Sequence, residues 1–342
     1  MRKHYLITGG AGFIGSNYCA HLLENGQKVT VFDNLSRMGT ESNLAWLKTT
    51  YGENAFDFVK GDVRDLSALQ SVMKEIDVIV HLAAQVAVTT SVSDPRTDFE
   101  INALGTFNVL EAARLSKENP IIIYASTNKV YGGMEDVRVN SNDRKYYYED
   151  FPSGIPENQL LDFHSPYGCS KGAGDQYMRD YHRIYDMRTV VFRQSCIYGT
   201  RQFGVEDQGW VAWFVIAAQL GKNITIYGNG KQVRDILFVS DLCRAYDAAI
   251  ENIDVAAGQI FNIGGGPKNT LSIWKEFCPI LEEYLGKPIP TTASDWRPGD
   301  QPIYVSNIQK ANDLLKWQPQ VTAREGIEKL FDWVKENKEL FE

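Results

Sequence analysis

Short, nearly continuous apolar runs alternate with amphipathic stretches through the first half of the chain. His4–Thr8, Lys28–Asp33, Phe56–Asp62, Asp77–Ala83, Ile121–Ser126 and Thr189–Arg193 are the apolar runs. Segments of this length without polar alternation predict strands covered on both faces. Between them, apolar positions recur at three- and four-residue intervals. They predict helices after Gly15 to about Asn25, from about Asp65, over about Asp98–Lys117, and from Ser165 onward. In the last of these, Tyr177, Tyr181, Ile184 and Tyr185 mark one face, Pro166 suits the first turn and Ser165 the N-cap. Strand–helix alternation of this kind predicts an α/β fold, a Rossmann-type doubly wound parallel sheet. Its crossovers should be right-handed and its ligands should sit at the carboxyl ends of the strands.

Two regions depart from that rhythm. Residues 133–164 are polar, Tyr-rich (Tyr146–Tyr148) and punctuated by Pro152 and Pro156. This is too long for a neutral connection, so the segment is either an ordered functional loop or lid, or a surface insertion. After about Gly199, short strands (Ile224–Tyr227, Ile236–Val239, Gln259–Ile263) mix with helices near 208–220, 240–251, 271–285, 307–316 and 323–337. The division expected is a nucleotide-binding domain over 1–199, carrying the 133–164 insertion, and a smaller mixed α/β substrate-binding lobe over 200–342. Elements of the lobe could return to the sheet.

Charge and cysteine content narrow the function classes. A net charge of −8 over 342 residues argues against nucleic acid or an anionic membrane as partner. Cys19, Cys169, Cys196, Cys243 and Cys278 are odd in number and lack CxxC or Cys/His spacing, which predicts reduced thiols in a cytoplasmic protein and no metal. No apolar run is long enough for a membrane helix, and the first strand begins too early for a signal peptide.

The first strand ends in Gly9, Gly12 and Gly15 at G-x-x-G-x-x-G spacing, opening a helix that includes Phe13 and Ile14. Glycines there let backbone approach a pyrophosphate held on the positive helix end. Asp33 closes the second strand, where a carboxylate accepts both adenosine ribose hydroxyls and repels a 2′-phosphate. NAD is therefore expected rather than NADP, although Arg37 lies close by. Asn34 and Ser36 follow in the same turn; Asp62 and Val63 after the third strand are placed to reach adenine. Leu82, Ala83, Ala84 and Gln85 after the fourth provide small residues where the cofactor crosses the sheet. Tyr167 and Lys171, four apart on one helix, put a phenol beside an ammonium. The charge is expected to lower the Tyr pKa toward that of a general base.

Thr8–Gly15, Ser126-Thr-Asn-Lys-Val-Tyr-Gly132, Tyr167-x-x-x-Lys171, Arg234-Asp235 and Arg297-Pro-Gly-Asp300 together resemble the extended short-chain dehydrogenase/reductases of the NAD-dependent epimerase/dehydratase family. The resemblance covers essentially the whole chain. It implies a third catalytic group, Thr127, which shares a proton with Tyr167, and tightly bound NAD regenerated at each turnover. Sugar-nucleotide 4,6-dehydratases in the family carry an Asp-Glu pair directly after that Thr; here Asn128 and Lys129 stand there. An amide and an ammonium cannot supply a carboxylic acid and a carboxylate base, so elimination is disfavoured and epimerisation expected.

Ser126–Gly132, His164–Lys171, Phe192–Gly199 and above all Gln202–Trp210 narrow the resemblance to the branch acting at C2 of a CDP-linked sugar. A C4-epimerase or reductase of another nucleotide sugar shares the same chemistry, and a non-catalytic NAD-binding sensor shares the fold. By the same resemblance Arg234 and Arg297 are expected on the diphosphate, with a structural ion pair as the competing reading for each. Asn128, Gln202, Gln208, Trp210 and Tyr304 are expected around the sugar. Trp210 is equally compatible with the core, Tyr146–Tyr148 with a cap over the sugar, and Cys196 with a core thiol rather than a nucleophile. A homodimer through the Asp98 and Tyr167 helices is implied.

Overall fold

A computed structural model describes residues 2–297 and 300–342, so Pro298 and Gly299 of the Arg297–Asp300 motif lie outside the described residues. Seven parallel strands form the central sheet: β1 His4–Thr8, β2 Lys28–Asp33, β3 Asp57–Lys60, β4 Val78–His81, β5 Ile121–Thr127, β6 Thr189–Gln194 and β7 Ile260–Ile263. Their order is β7-β6-β5-β4-β1-β2-β3. Thr8 lies beside both Phe32 and His81, so the order reverses around β1 and a crevice opens at its carboxyl end.

Both faces of the sheet are buried, as the continuous apolar runs require. Ile7, Val29, Val31, Val80 and Ile123 point into one core, and Leu6, Phe32, Ile79, Ile122 and Tyr124 into the other. Helix α1 (Phe13–Glu24) follows β1 directly, and Thr40–Tyr51 forms a helix α2 that periodicity did not single out. The expected helix over Asp98–Lys117 is interrupted: a π-turn, Glu100–Leu104, precedes α3 (Gly105–Ser116). Helix α4 (Ser165–Tyr185) has Pro166 in its first turn as expected, but its N-cap is His164 and Ser165 is its first residue, whose hydroxyl accepts from Gly168 N–H at 3.2 Å.

The third short strand assigned to the C-terminal lobe belongs instead to the main sheet, where Ile260–Ile263 pairs with Val191–Gln194. It is the edge strand of that sheet, with Phe261 and Ile263 in one core and Ile260 in the other. Beyond it, the helices Trp210–Gln219, Phe277–Leu285 and Ala323–Glu336 enclose a separate core of Phe214, Phe238, Phe277, Ile327 and Leu330. A Thr322/Glu325 capping box starts the last of these helices.

The 133–164 insertion is packed into the body of the protein. Val139–Ser141 and Tyr146–Tyr148 form a hairpin, Tyr148 Oη donates to Ile303 O at 2.9 Å, and Ile155 N donates to Val305 O at 2.8 Å. Tyr146–Tyr148 line neither part of the cleft described below; Tyr148 is buried and Tyr146 packs edge-on against Trp296.

Candidate active site

The turn from β1 into α1 is built from backbone alone. Gly9 has φ +71°, and a Cβ there would meet Ala83 N at 2.7 Å; a Cβ on Gly15 would run into the Gly9 carbonyl. Only glycine lets the turn lie this close to the end of β4 and to its own helix. Gly12 caps α1 with no side-chain acceptor for the first-turn N–H groups. An uncapped helix N-terminus facing a cleft provides donors and partial positive charge for a phosphate.

Around that end lie Gly9, Gly12, Phe13, Ile14 and Gly15, with Asp33, Asn34, Ser36 and Arg37 after β2. Asp62 and Val63 follow β3, and Leu82, Ala83 and Ala84 follow β4. Asp33 is buried; its Oδ2 accepts from Ala11 N at 3.0 Å and its Oδ1 from Leu35 N at 2.8 Å. Burial nevertheless raises its pKa. These bonds aim the carboxylate into the cleft and leave lone pairs for ribose hydroxyls. Asp62 is held down at about 2 by Arg64, with Asn34 Nδ2 donating at 3.0 Å. Arg37 reaches across the cleft mouth to Gln208 Oε1. The donor set fits a dinucleotide carrying unphosphorylated ribose hydroxyls.

Gln85 departs from expectation. Its side chain folds back on its own turn, donating to Ala87 O at 2.8 Å and accepting from Ala87 N at 2.6 Å, and it does not line the cleft. A glutamine that can close two bonds locally satisfies itself there.

Deeper in, Tyr167, Lys171 and Thr127 converge from α4 and the end of β5. Thr127, Asn128, Tyr167, Gln202, Gln208 and Trp210 border a second part of the cleft, which shares Tyr167, Gln202 and Gln208 with the first. Thr127 Oγ1 accepts from Lys129 N at 3.2 Å and donates to Asn128 Oδ1 at 3.4 Å.

The electrostatics differ from expectation. Burial pushes the Tyr167 phenol up to about 12, although Thr127 hydrogen bonding draws it down. Burial pushes Lys171 down to about 7 against the attraction of Asp98 and Asp175. Its ammonium lies 4.2 Å from the Tyr124 ring centroid. Desolvation therefore outweighs the helix-face pairing, and the cleft alone does not make a phenolate.

Below this pair is a network that periodicity missed. Ser170 Oγ donates to Asp98 Oδ2 at 2.5 Å, and Asn102 Nδ2 donates to Asp98 Oδ1 at 3.0 Å. Asp98 and Asn102 are both buried, Asp98 on the short helix Pro95–Phe99 and Asn102 on the π-turn that follows it. Two polar residues four apart on a helix's buried face were the available signal.

Three expected sugar or phosphate ligands are engaged with protein partners. Arg234 is buried and donates to Asp300 Oδ1 at 2.7 Å. Arg297 is 3.3 Å from Asp207 Oδ1 and lies over the Tyr227 ring at 3.9 Å. Tyr304 is wholly buried and stacked on Tyr131. None of the three lines the cleft. For both arginines the ion-pair alternative describes their contacts.

Trp210 serves both readings: it borders the cleft and packs edge-on against Phe214 and Phe277. Cys196 also borders the cleft, but burial raises its thiol pKa, the opposite of what a nucleophile needs. Gln202 Oε1 is buried without a partner among the described residues, as suits a side chain waiting for a ligand.

Residues 6–330 match the family described as GDP-mannose 4,6 dehydratase. The chain belongs to that family. It is 46% identical to CDP-paratose 2-epimerase of Salmonella typhi over 96% of this chain and 98% of that protein. Among solved structures it resembles dTDP-glucose 4,6-dehydratase from Streptomyces venezuelae with NAD bound, at TM-score 0.84 and 29% identity, covering 98% of each chain. UDP-glucuronic acid 4-epimerase from Bacillus cereus, in complex with UDP-glucuronic acid and NAD, aligns at TM-score 0.83 and 30% identity over 97% of this chain and 99% of that one. The fold, the cleft and the relatives agree on an extended short-chain dehydrogenase/reductase that modifies nucleotide sugars. No helix among the described residues is long and apolar enough to cross a membrane.

Proposed function

We propose that this protein is an NAD-dependent epimerase acting at C2 of CDP-paratose to give CDP-tyvelose, through a transient 2-keto sugar. The observation that carries the proposal is the pairing of a complete Tyr167/Lys171/Thr127 set with Asn128 and Lys129 where elimination needs a carboxylic acid and a carboxylate. The similarity to CDP-paratose 2-epimerase supports the choice of C2 and of cytidine.

NAD is the cofactor; the first turn of α1 would hold its pyrophosphate and Asp33 its adenosine ribose. When bound, it accepts the hydride from the carbinol carbon and returns it to the opposite face. Tyr167 removes the hydroxyl proton and restores it after the sugar has turned, and Thr127 donates a hydrogen bond to the same oxygen. Lys171 supplies the nearby positive charge that a buried phenol with a pKa near 12 needs before it can act as a base. Asn128, Gln202, Gln208 and Trp210 border the sugar, and residues 200–342 contribute most of the nucleotide-sugar contacts.

We also propose a homodimer. Phe99, Leu104, Tyr177, Ile184 and Tyr185 are exposed apolar side chains on the helical elements running from Pro95 and from Ser165. Several exposed large apolar side chains on two neighbouring helical elements support an interface there.

The test is to follow CDP-paratose by proton NMR with the purified, NAD-loaded protein. Signals of the C2 epimer are expected. Conversion of a different nucleotide sugar, with CDP-paratose left unchanged, would contradict the C2 assignment.

A further inference from the structure

Lys129 is a half-buried cation without a carboxylate of its own. It follows Thr127 and Asn128 on the short 3-10 turn Asn128–Tyr131, and it lines the part of the cleft that also holds Tyr167 and Trp210. Its Nζ makes one hydrogen bond, to the neutral amide oxygen of Gln301 at 3.3 Å. Gln301 is itself buried and donates to Gly132 O at the end of the same turn. The carboxylate that acts electrostatically on Lys129, Asp300, is already engaged by Arg234 at 2.7 Å. An ammonium carries three donors. Two of them have no protein partner among the described residues, and the side chain lines the cleft, so these donors are open to a ligand that enters it. The arrangement gains its missing acceptors when an oxygen-rich ligand enters the cleft.

We propose that Lys129 is a substrate-binding residue whose side-chain nitrogen donates to an oxygen of the sugar, so that the site selects sugars presenting an acceptor there. This rests on the nucleotide-sugar reading and adds a specificity determinant to it. The turn that holds Lys129 is also the one that fixes the Thr127 hydroxyl, through Lys129 N at 3.2 Å. The side chain therefore starts one turn from the reacting carbon's partners, which favours the sugar over the diphosphate as its acceptor.

The charge state can be tested too. The groups acting on Lys129 are Arg234, Asp300 and Cys196, and burial, followed by the positive charge of Arg234, brings its pKa down to about 8. In the free protein the ammonium is thus present below about pH 8 and lost above it. A sugar contact made by the ammonium weakens as pH rises through that value.

The experiment is calorimetric titration of NAD-loaded wild type, Lys129→Met and Lys129→Arg with CDP and with CDP-paratose, from pH 6.5 to 9.5. Retained NAD and an unchanged melting temperature show that each variant is folded. Lys129→Met should bind CDP within about twofold of wild type but lose about 10- to 100-fold on CDP-paratose, the range for a hydrogen bond to a charged group. Wild type should lose its preference for the sugar above about pH 8. Lys129→Arg, charged throughout, should keep part of the preference without that decline. Equal losses on CDP and CDP-paratose would place Lys129 on the diphosphate and overturn the sugar contact, as would an unchanged CDP-paratose affinity in Lys129→Met. Binding of CDP-paratose without C2 exchange by the wild type would contradict the C2 reading alone, because the Lys129 comparison is made from affinities.

Discussion

The two ends of the cleft are made from different materials. The cofactor end is mostly backbone: a glycine turn, an uncapped helix N-terminus and strand ends fixed by the sheet register. The sugar end is side chains from loops far apart in sequence, Thr127 and Lys129 on one side and Gln202, Gln208 and Trp210 on another. Backbone sites tolerate little change in shape, while side-chain sites tolerate change in shape but not in chemistry. That contrast orders the expected effects of substitution.

The largest belongs to the turn. Gly15→Val places carbon against the Gly9 carbonyl, and the purified variant should contain no NAD by absorbance or mass spectrometry. Retention of stoichiometric NAD would show that the turn is not the binding site. Next is Tyr167→Phe, which should leave NAD content and melting temperature unchanged while lowering turnover by about 10²- to 10⁴-fold, the usual range for a general acid–base group. A drop in NAD content instead would make Tyr167 a cofactor ligand more than a base.

A third test concerns the sheet beneath both ends. His81 is buried between Thr8 Oγ1 at 2.7 Å and Thr106 Oγ1 at 3.0 Å, and burial holds its pKa down at about 3. The unfolded chain takes up that proton near pH 6.5, so folding stability should fall as pH drops from about 6.5 toward about 3. The expected slope is on the order of 1 kcal/mol per pH unit. Denaturant titration across that window should give a flatter profile for His81→Asn; identical slopes would remove His81 as the cause.

The smallest effect is expected at the rim. Arg297 is partly exposed and paired with Asp207, so Arg297→Ala should change stability by less than about 1 kcal/mol. CDP affinity should move less than about threefold on calorimetry. A loss well beyond that would return Arg297 to the diphosphate.

How much of this was legible follows the same division. The parallel strands, the glycine turn and Asp33 were visible because period and spacing act locally, and each falls where its pattern put it. The local bonds of Gln85 were not legible, because its position in the turn says nothing about which bonds the side chain can close nearby. Arg234, Arg297 and Tyr304 were placed by resemblance of motif, but their partners, Asp300, Asp207 and Tyr131, depend on tertiary neighbours that spacing does not encode. The Tyr167 pKa was misjudged for a related reason. Helix geometry brought a cation near, but the extent of burial is a property of the whole fold.

The central claim, epimerisation by removal and return of hydride, is tested most directly by isotope. The NAD-loaded protein is incubated with CDP-paratose in deuterated water without added cofactor, and the product is examined by proton NMR. The account predicts the C2 epimer with hydrogen, not deuterium, at C2, because the hydride never exchanges with solvent. Deuterium incorporated at C2 would mean direct deprotonation of that carbon and would contradict the redox mechanism.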